Sequence, residues 1–67
     1  MFDFIVAKSY IKVRYEGTFY LEDSYEELKK KMNDENSTIT VKVTDFLGIG
    51  YDTKTFKKSE ITEYGRN

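Results

Sequence analysis

The segment YIKVRYEGTFYLE, residues 10–22, contains the strongest strand pattern in the chain. Ile11 and Val13 alternate with basic residues, and this period of two is typical of a β-strand with one buried face. The Glu16-Gly17 pair then indicates a turn, and a second strand follows it. The segment therefore predicts a β-hairpin, and the rest of the chain must cover its apolar face.

The loop length decides which side chains of this hairpin share a face. A two-residue loop would place the apolar residues of the second strand on the same face as the basic residues of the first strand. A three-residue loop at residues 16–18 pairs Tyr15 with Phe19 and Val13 with Leu21, and it places the apolar set on one face. We predict the three-residue loop, because a slip of one residue would expose that whole set.

The next segment, DSYEELKKKMN, predicts a short helix that packs on the sheet. Ser24 and Glu27 form a capping-box pattern at its start. Tyr25, Leu28 and Met32 recur at helical spacing and give the helix one apolar face. A helix of about two and a half turns is not stable alone in water, so this face must be buried.

A third strand is predicted by TITVKVTD, residues 38–45. Ile39, Val41 and Val43 point one way, while threonines and a lysine point the other way. This pattern is typical of a strand with one solvated face.

The C-terminal third predicts one or two further strands. Phe56 and Ile61 are the expected inward residues. Their spacing of five breaks the alternation, so a bulge or a short helical turn is expected near Ser59. Residues 65–67 are expected to be frayed.

These elements predict a small α+β fold in a single domain covering residues 1–67. The expected architecture is an antiparallel sheet of four strands in the order β-β-α-β-β, with one short helix packed on one face. A fifth strand at residues 2–8 is the alternative. Such a short chain buries a small core, and without cysteine it has no disulfide to stabilise it.

The segment DFLGIGYDTKT, residues 45–55, raises the question of a ligand site. It lacks the third glycine of a dinucleotide fingerprint, the Gly-Lys pair of a P-loop and the alternate acids of a calcium loop. A turn between two strands is therefore predicted. Its apolar residues either close the core or form an exposed tip that binds a partner. These residues are Phe46, Leu47, Ile49 and Tyr51.

The composition excludes several classes of function. The chain has no histidine and no cysteine, so the usual metal ligands and the usual general base are missing. We predict no catalytic site, no metal and no cofactor, because a domain this small offers little room for a pocket. Eleven basic and twelve acidic residues nearly cancel. The chain has no apolar run long enough for a transmembrane helix, so we expect a cytoplasmic protein without a membrane partner.

The outer side of the hairpin is the main candidate for a binding surface. Tyrosines and basic residues alternate there, and Lys42 of the third strand is expected to join them. In the predicted register Arg14 lies opposite Tyr20 and Lys12 lies opposite Glu22. Such a surface fits a protein partner or single-stranded nucleic acid, and a simple solvated face is the alternative. The candidate residues are Tyr10, Lys12, Arg14, Tyr20 and Lys42.

We predict a small non-enzymatic protein that binds another protein as an accessory or regulatory factor, such as an inhibitor carried by a phage or plasmid. The alternative is a nucleic-acid-binding module that uses the same face. Self-association into a homodimer, through a strand edge or the apolar loop, is a third hypothesis. Lys54, Lys57 and Lys58 are interpreted as residues that protect a strand edge.

Overall fold

The computed structural model describes residues 7–44 and 50–67. Its five strands form one sheet in the order β4-β3-β2-β1-β5, and all neighbours are antiparallel. This confirms the predicted α+β fold with an antiparallel sheet and one helix. The elements are β1 (Ser9–Val13), β2 (Gly17–Leu21), α1 (Tyr25–Met32), β3 (Thr38–Thr44), β4 (Tyr51–Lys57), a 3₁₀ helix (Lys58–Glu60) and β5 (Ile61–Arg66).

The fifth strand is β5, which lies beside β1. The alternative strand at residues 2–8 falls mostly outside the described residues, and residues 7 and 8 are not part of a strand.

The sheet is coiled, so that the end of β4 and the start of β5 lie close together. The edge strands β4 and β5 would be about 19 Å apart in a flat sheet of this size. Only the 3₁₀ helix Lys58–Glu60 joins them, and three residues cannot span that distance. The rings of Phe19 and Phe56, on β2 and β4, accordingly meet across the concave side with centroids 5.1 Å apart.

The core fills this concave side, which we call the inner face, and α1 covers it. All of the buried apolar side chains had been predicted to point inward. Phe19, Met32, Ile61 and Tyr64 are partly buried against them. The buried set consists of Ile11, Val13, Leu21, Leu28, Ile39, Val41, Val43 and Phe56.

The hairpin loop differs from the sequence prediction. The loop consists of residues 14–16, and Val13 pairs with Gly17 rather than with Leu21. Tyr15 lies in this loop with a φ of 71° and is 96% exposed, so its predicted inward position is wrong. Gly17 explains the shift, because its φ of 100° directly after the loop is accessible to glycine without steric cost.

The predicted faces of both strands nevertheless hold. The loop lies two residues earlier than predicted, and an even shift keeps each strand side chain on its own face. Ile11 is now opposite Phe19, and Leu21 is now opposite Ser9. Ile11 and Leu21 are both fully buried.

The helix begins as the sequence predicted. The Ser24 hydroxyl accepts the Glu27 backbone N–H at 3.1 Å, and the Glu27 carboxylate accepts the Ser24 backbone N–H at 3.1 Å. This is the predicted capping box. Leu28 is fully buried, while Tyr25 and Met32 are half-buried beside it.

Asp23 connects the start of the helix to two strands from a buried position. Its side chain is 3% exposed, and its carboxylate accepts the Lys42 backbone N–H and the Lys31 ammonium, each at 2.8 Å. The same ammonium donates to the Thr40 carbonyl at 3.0 Å. The Ser9 hydroxyl donates to the Asp23 carbonyl at 2.6 Å. The hydrogen bonds satisfy a charge that would otherwise be costly to bury.

The C-terminal residues belong to the sheet. Gly65 and Arg66 lie in β5, and the Asn67 backbone N–H donates to the Lys8 carbonyl at 3.2 Å. The expectation that residues 65–67 are frayed is therefore wrong. The 3₁₀ helix Lys58–Glu60 is the short helical turn expected near Ser59.

Arg66 also ties β5 to the helix. Its guanidinium lies 4.9 Å from the centroid of the Tyr25 ring, and it forms an ion pair with Glu26 at 3.2 Å. The rings of Tyr25 and Tyr64 stack with centroids 6.3 Å apart. Together these contacts fix the helix at the β5 end of the sheet.

Within residues 7–44 and 50–67, the structure contains no helix with the length and apolar character needed to cross a membrane.

Candidate binding surface

The side of the sheet opposite to the core, which we call the outer face, brings together most of the predicted binding residues. Tyr10 of β1 is directly opposite Tyr20 of β2. Lys12 lies two residues further along β1 on the same face. Lys42 of β3 also points outward, because it alternates with the buried Val41.

Three tyrosines lie in one row across the outer face, and we call them the tyrosine row: Tyr10, Tyr20 and Tyr51. Thr44 of β3 fills the position between the last two. Its hydroxyl donates to the Tyr20 carbonyl at 3.1 Å, and Thr44 is directly opposite Tyr51 of β4. Tyr20 and Tyr51 are each 48% exposed. The sequence had assigned Tyr51 to the apolar loop, whereas the structure places it at the start of β4.

Lys42 lies against the end of this row. Its ammonium is 5.3 Å from the centroid of the Tyr51 ring, which is within the range of a cation–π contact.

Arg14 does not belong to the outer face. It lies in the hairpin loop, and its backbone N–H donates to the Glu60 carbonyl at 2.8 Å. The predicted pairing of Arg14 with Tyr20 is wrong, because the loop begins two residues earlier than expected. The predicted pair of Lys12 with Glu22 is also wrong, since Lys12 lies opposite Thr18.

Glu63 of β5 connects two of the predicted binding residues. The Tyr10 hydroxyl donates a hydrogen bond to the Glu63 carboxylate, and the Lys12 ammonium is 3.8 Å from it. The hydrogen bond to Glu63, with burial and the charge of Glu63 as smaller causes, raises the pKa of the Tyr10 phenol. The sequence analysis missed Glu63, because its role depends on the pairing of β5 with β1.

Gly65 provides the space in which the Tyr10 ring lies. The two residues are opposite each other on β5 and β1. A Cβ at residue 65 would be 3.0 Å from Cε1 of the ring and 3.1 Å from its hydroxyl oxygen. Glycine at this position therefore leaves room for the ring to lie against the edge strand.

A shallow depression of about 420 Å³ lies beside the tyrosine row. This depression is an open concavity and not an enclosed pocket, so the expectation of little room for a pocket stays a prediction. The depression is open to solvent on a sheet surface and is largely polar. Its lining residues are Tyr10, Lys12, Thr18, Tyr20, Glu63, Arg66 and Asn67.

The C-terminal lysines do not form one basic patch. The Lys58 ammonium binds the Asp34 carboxylate and donates to the Asp34 carbonyl at 3.1 Å. The Lys54 ammonium lies on the inner side, 5.9 Å from the centroid of the Phe19 ring. Lys54 and Lys57 lie on β4, which is an edge of the sheet, as the sequence had suggested.

The glycine-containing segment joins two neighbouring antiparallel strands, because Thr44 pairs with Tyr51. The predicted turn itself lies outside the described residues. The candidate residues Phe46, Leu47 and Ile49 lie outside the described residues. Among the residues that the structure does describe, no group of three or more His, Cys, Asp or Glu side chains could hold a metal ion.

Comparisons of the chain with protein-family models, with curated proteins and with solved structures found no match in any of the three.

Proposed function

We propose that this protein is a small non-enzymatic binding module whose outer face contacts a partner protein. The tyrosine row is the observation that carries this proposal. Two of its rings are about half exposed on the face that the helix leaves uncovered. Tyrosine is enriched at protein–protein contacts because it offers a large apolar ring with a polar end and loses little conformational entropy.

Contacts that restrain two of the three rings support the same proposal. The Tyr10 ring is held between Gly65 and the Glu63 carboxylate, and the Tyr51 ring contacts Lys42. Side chains that are already fixed lose less freedom when a partner binds, and more of the contact energy then appears as affinity. The adjacent depression offers space for a side chain of the partner.

The charges favour a protein over a nucleic acid. The Lys12 ammonium lies close to Glu63, and Lys58 is paired with Asp34. Affinity for nucleic acid comes largely from cations that neutralise phosphates, and these two cations already have acidic neighbours. The whole chain has a net charge of −1. An accessory, regulatory or inhibitory role, and an origin in a phage or plasmid, stay predictions that the partner's identity would test.

The first experiment compares the proteins captured from a lysate by the wild-type chain and by single variants. Tyr20→Ser and Tyr51→Ser each remove one exposed ring from the row. Tyr15→Ser is the matched control, because Tyr15 is even more exposed but lies in the hairpin loop. We expect a captured protein to be lost with both row variants and kept with the control. If the captured protein were lost with Tyr15→Ser alone, the proposal would be overturned.

A second experiment tests the nucleic-acid alternative directly. A fluorescent single-stranded oligonucleotide is titrated with the protein at low and at moderate salt. We expect no saturable binding at either concentration of salt. Binding that weakens steeply with salt and requires Tyr20 would replace the protein partner with a nucleic acid.

A further inference from the structure

In the described part of the chain, no strand pairs with the edge of β4 that faces away from β3. β4 is one of the two edge strands of the sheet, and its residues 51–55 are all exposed. The Lys58 backbone N–H donates to Ser37, so the even-numbered residues direct their backbone groups towards β3. The odd-numbered residues of β4 therefore direct their N–H and C=O groups outward, where a further strand can pair with them.

We propose that two copies of this chain associate by antiparallel pairing of their β4 strands, with Thr53 on the two-fold axis. In this register, Thr53 of each copy exchanges backbone hydrogen bonds with Thr53 of the other. Tyr51 of one copy likewise pairs with Thr55 of the second copy. When the β4 edges of two copies pair with each other, the unpaired backbone N–H and C=O groups of both edges form hydrogen bonds.

Charge complementarity selects this register. With Thr53 at the centre, Asp52 of one copy lies opposite Lys54 of the second copy, and the symmetry repeats this pair. Centring the strands on Asp52 would place two carboxylates opposite each other. Centring them on Lys54 would place two ammonium groups opposite each other. Like charges directly opposite are destabilising, so the neighbouring registers are disfavoured.

The proposal also gives Asp52 a role. Aspartate is uncommon inside strands, and its own cross-strand neighbour is the apolar Val43. Asp52 forms no salt bridge with any residue of the described ranges 7–44 and 50–67. Lys54 is also consistent with the proposed dimer. A lysine on an edge strand opposes most pairings, but it favours a register that places a carboxylate opposite it.

The pairing has a consequence beyond the proposed binding surface. A two-fold axis perpendicular to the sheet keeps both outer faces on the same side of one continuous sheet. The dimer would therefore present two tyrosine rows side by side. A partner that is itself dimeric would bind such a surface more tightly than it binds one copy.

The test measures molar mass by sedimentation over a wide range of protein concentration. An edge-only interface is small, so we expect the mass to rise from 7.9 kDa towards twice that value between about 10 µM and about 1 mM. Asp52→Lys and Lys54→Asp each place like charges opposite one another in the dimer. Each single variant should therefore stay monomeric at the highest concentration while keeping its circular dichroism spectrum.

Two rescue measurements distinguish this register from any other contact. The double variant Asp52→Lys/Lys54→Asp restores opposite charges and should dimerise again. An equimolar mixture of the two single variants should also dimerise, because each supplies the charges that the other lacks. A monomeric wild type, single variants that still dimerise, or failure of both rescues would overturn the proposal.

Discussion

The ring of Tyr10 lies over Gly65 so closely that a Cβ at residue 65 would be 3.0 Å from the ring carbon Cε1. The glycine fixes the first member of the tyrosine row against the edge strand β5, and the Glu63 carboxylate holds the ring at its hydroxyl. The orientation of a candidate binding residue thus depends on a strand some fifty residues later in the chain.

The Gly65→Ala variant tests this contact. We expect a loss of about 1 kcal/mol in the free energy of unfolding, because the added methyl group forces the Tyr10 ring to move. Urea denaturation measures the loss. In a Tyr10→Ser background the same substitution should be neutral or slightly stabilising, since the ring is gone and alanine restricts the unfolded chain. Equal losses in both backgrounds would show that the ring is not the cause.

A second prediction concerns the Tyr10 phenol. Its pKa is raised above 10.0, first by the hydrogen bond to Glu63 and then by burial and the charge of Glu63. The contribution of the protonated Tyr10 phenol to the stability of the fold is therefore fully present below pH 10.0. It is lost as the pH rises through the raised pKa. Glu63→Gln should lower the pKa of Tyr10 towards the ordinary value.

Carbon-13 NMR of labelled tyrosine rings measures this pKa, and Tyr10→Phe assigns the resonance. Glu16→Gln is the control, because Glu16 lies in the hairpin loop away from the ring. A pKa for Tyr10 that does not respond to Glu63→Gln would contradict the contact.

A third prediction concerns the buried carboxylate of Asp23. Asp23→Ala leaves the Lys42 backbone N–H without its acceptor and Lys31 without its ion-pair partner, so we expect a loss of about 2–4 kcal/mol in stability. Asp23→Asn keeps an acceptor for the backbone N–H and should lose less. Chemical denaturation compares them with Glu35→Ala, an exposed control. A loss no larger than the control's would refute a structural role.

A fourth prediction concerns acid pH. A hydrogen bond from Lys58, followed by one from the Asn36 backbone N–H, holds the pKa of the Asp34 carboxyl below its ordinary value of 3.8. The Asp34 carboxyl therefore binds a proton more readily in the unfolded chain than in the folded protein. The contribution of Asp34 to stability is present above the ordinary pKa and is lost as the pH falls through the lowered one.

Urea midpoints between about pH 5 and about pH 2 measure this loss. Glu26 contributes in the same direction, through its own backbone N–H and through Arg66, so part of the acid sensitivity should persist when Asp34 is replaced. Asp34→Asn should make the pH dependence shallower than in wild type, whereas Glu35→Gln should not. Identical profiles for all three proteins would exclude the Asp34–Lys58 pair as a source of acid sensitivity.

Local patterns in the sequence predicted the elements of the fold well. Alternation placed Ile39 and Val41 inward on β3, and the capping box located the first turn of the helix. Both signals depend on residues within a few positions of each other. They are therefore readable without knowledge of the tertiary structure.

Contacts between distant segments could not be predicted in the same way. The alternating pattern fixes a face but allows even shifts of register, so the hairpin loop was placed two residues too late and Arg14 was assigned to the wrong surface. The pairing of β5 with β1 brings Glu63 and Gly65 to Tyr10. No local pattern indicates this pairing, because it depends on how the whole sheet coils.

The central claim is that the tyrosine row on the outer face binds the partner, and a pair of dissociation constants tests it most directly. With the captured partner purified, the affinities of wild type, Tyr20→Ser and Tyr15→Ser are measured by titration calorimetry. We predict at least about tenfold weaker binding for Tyr20→Ser, equivalent to about 1.4 kcal/mol, and little change for Tyr15→Ser. Unchanged affinity for Tyr20→Ser, with weakened binding for Tyr15→Ser, would contradict the claim and move the binding surface to the hairpin loop.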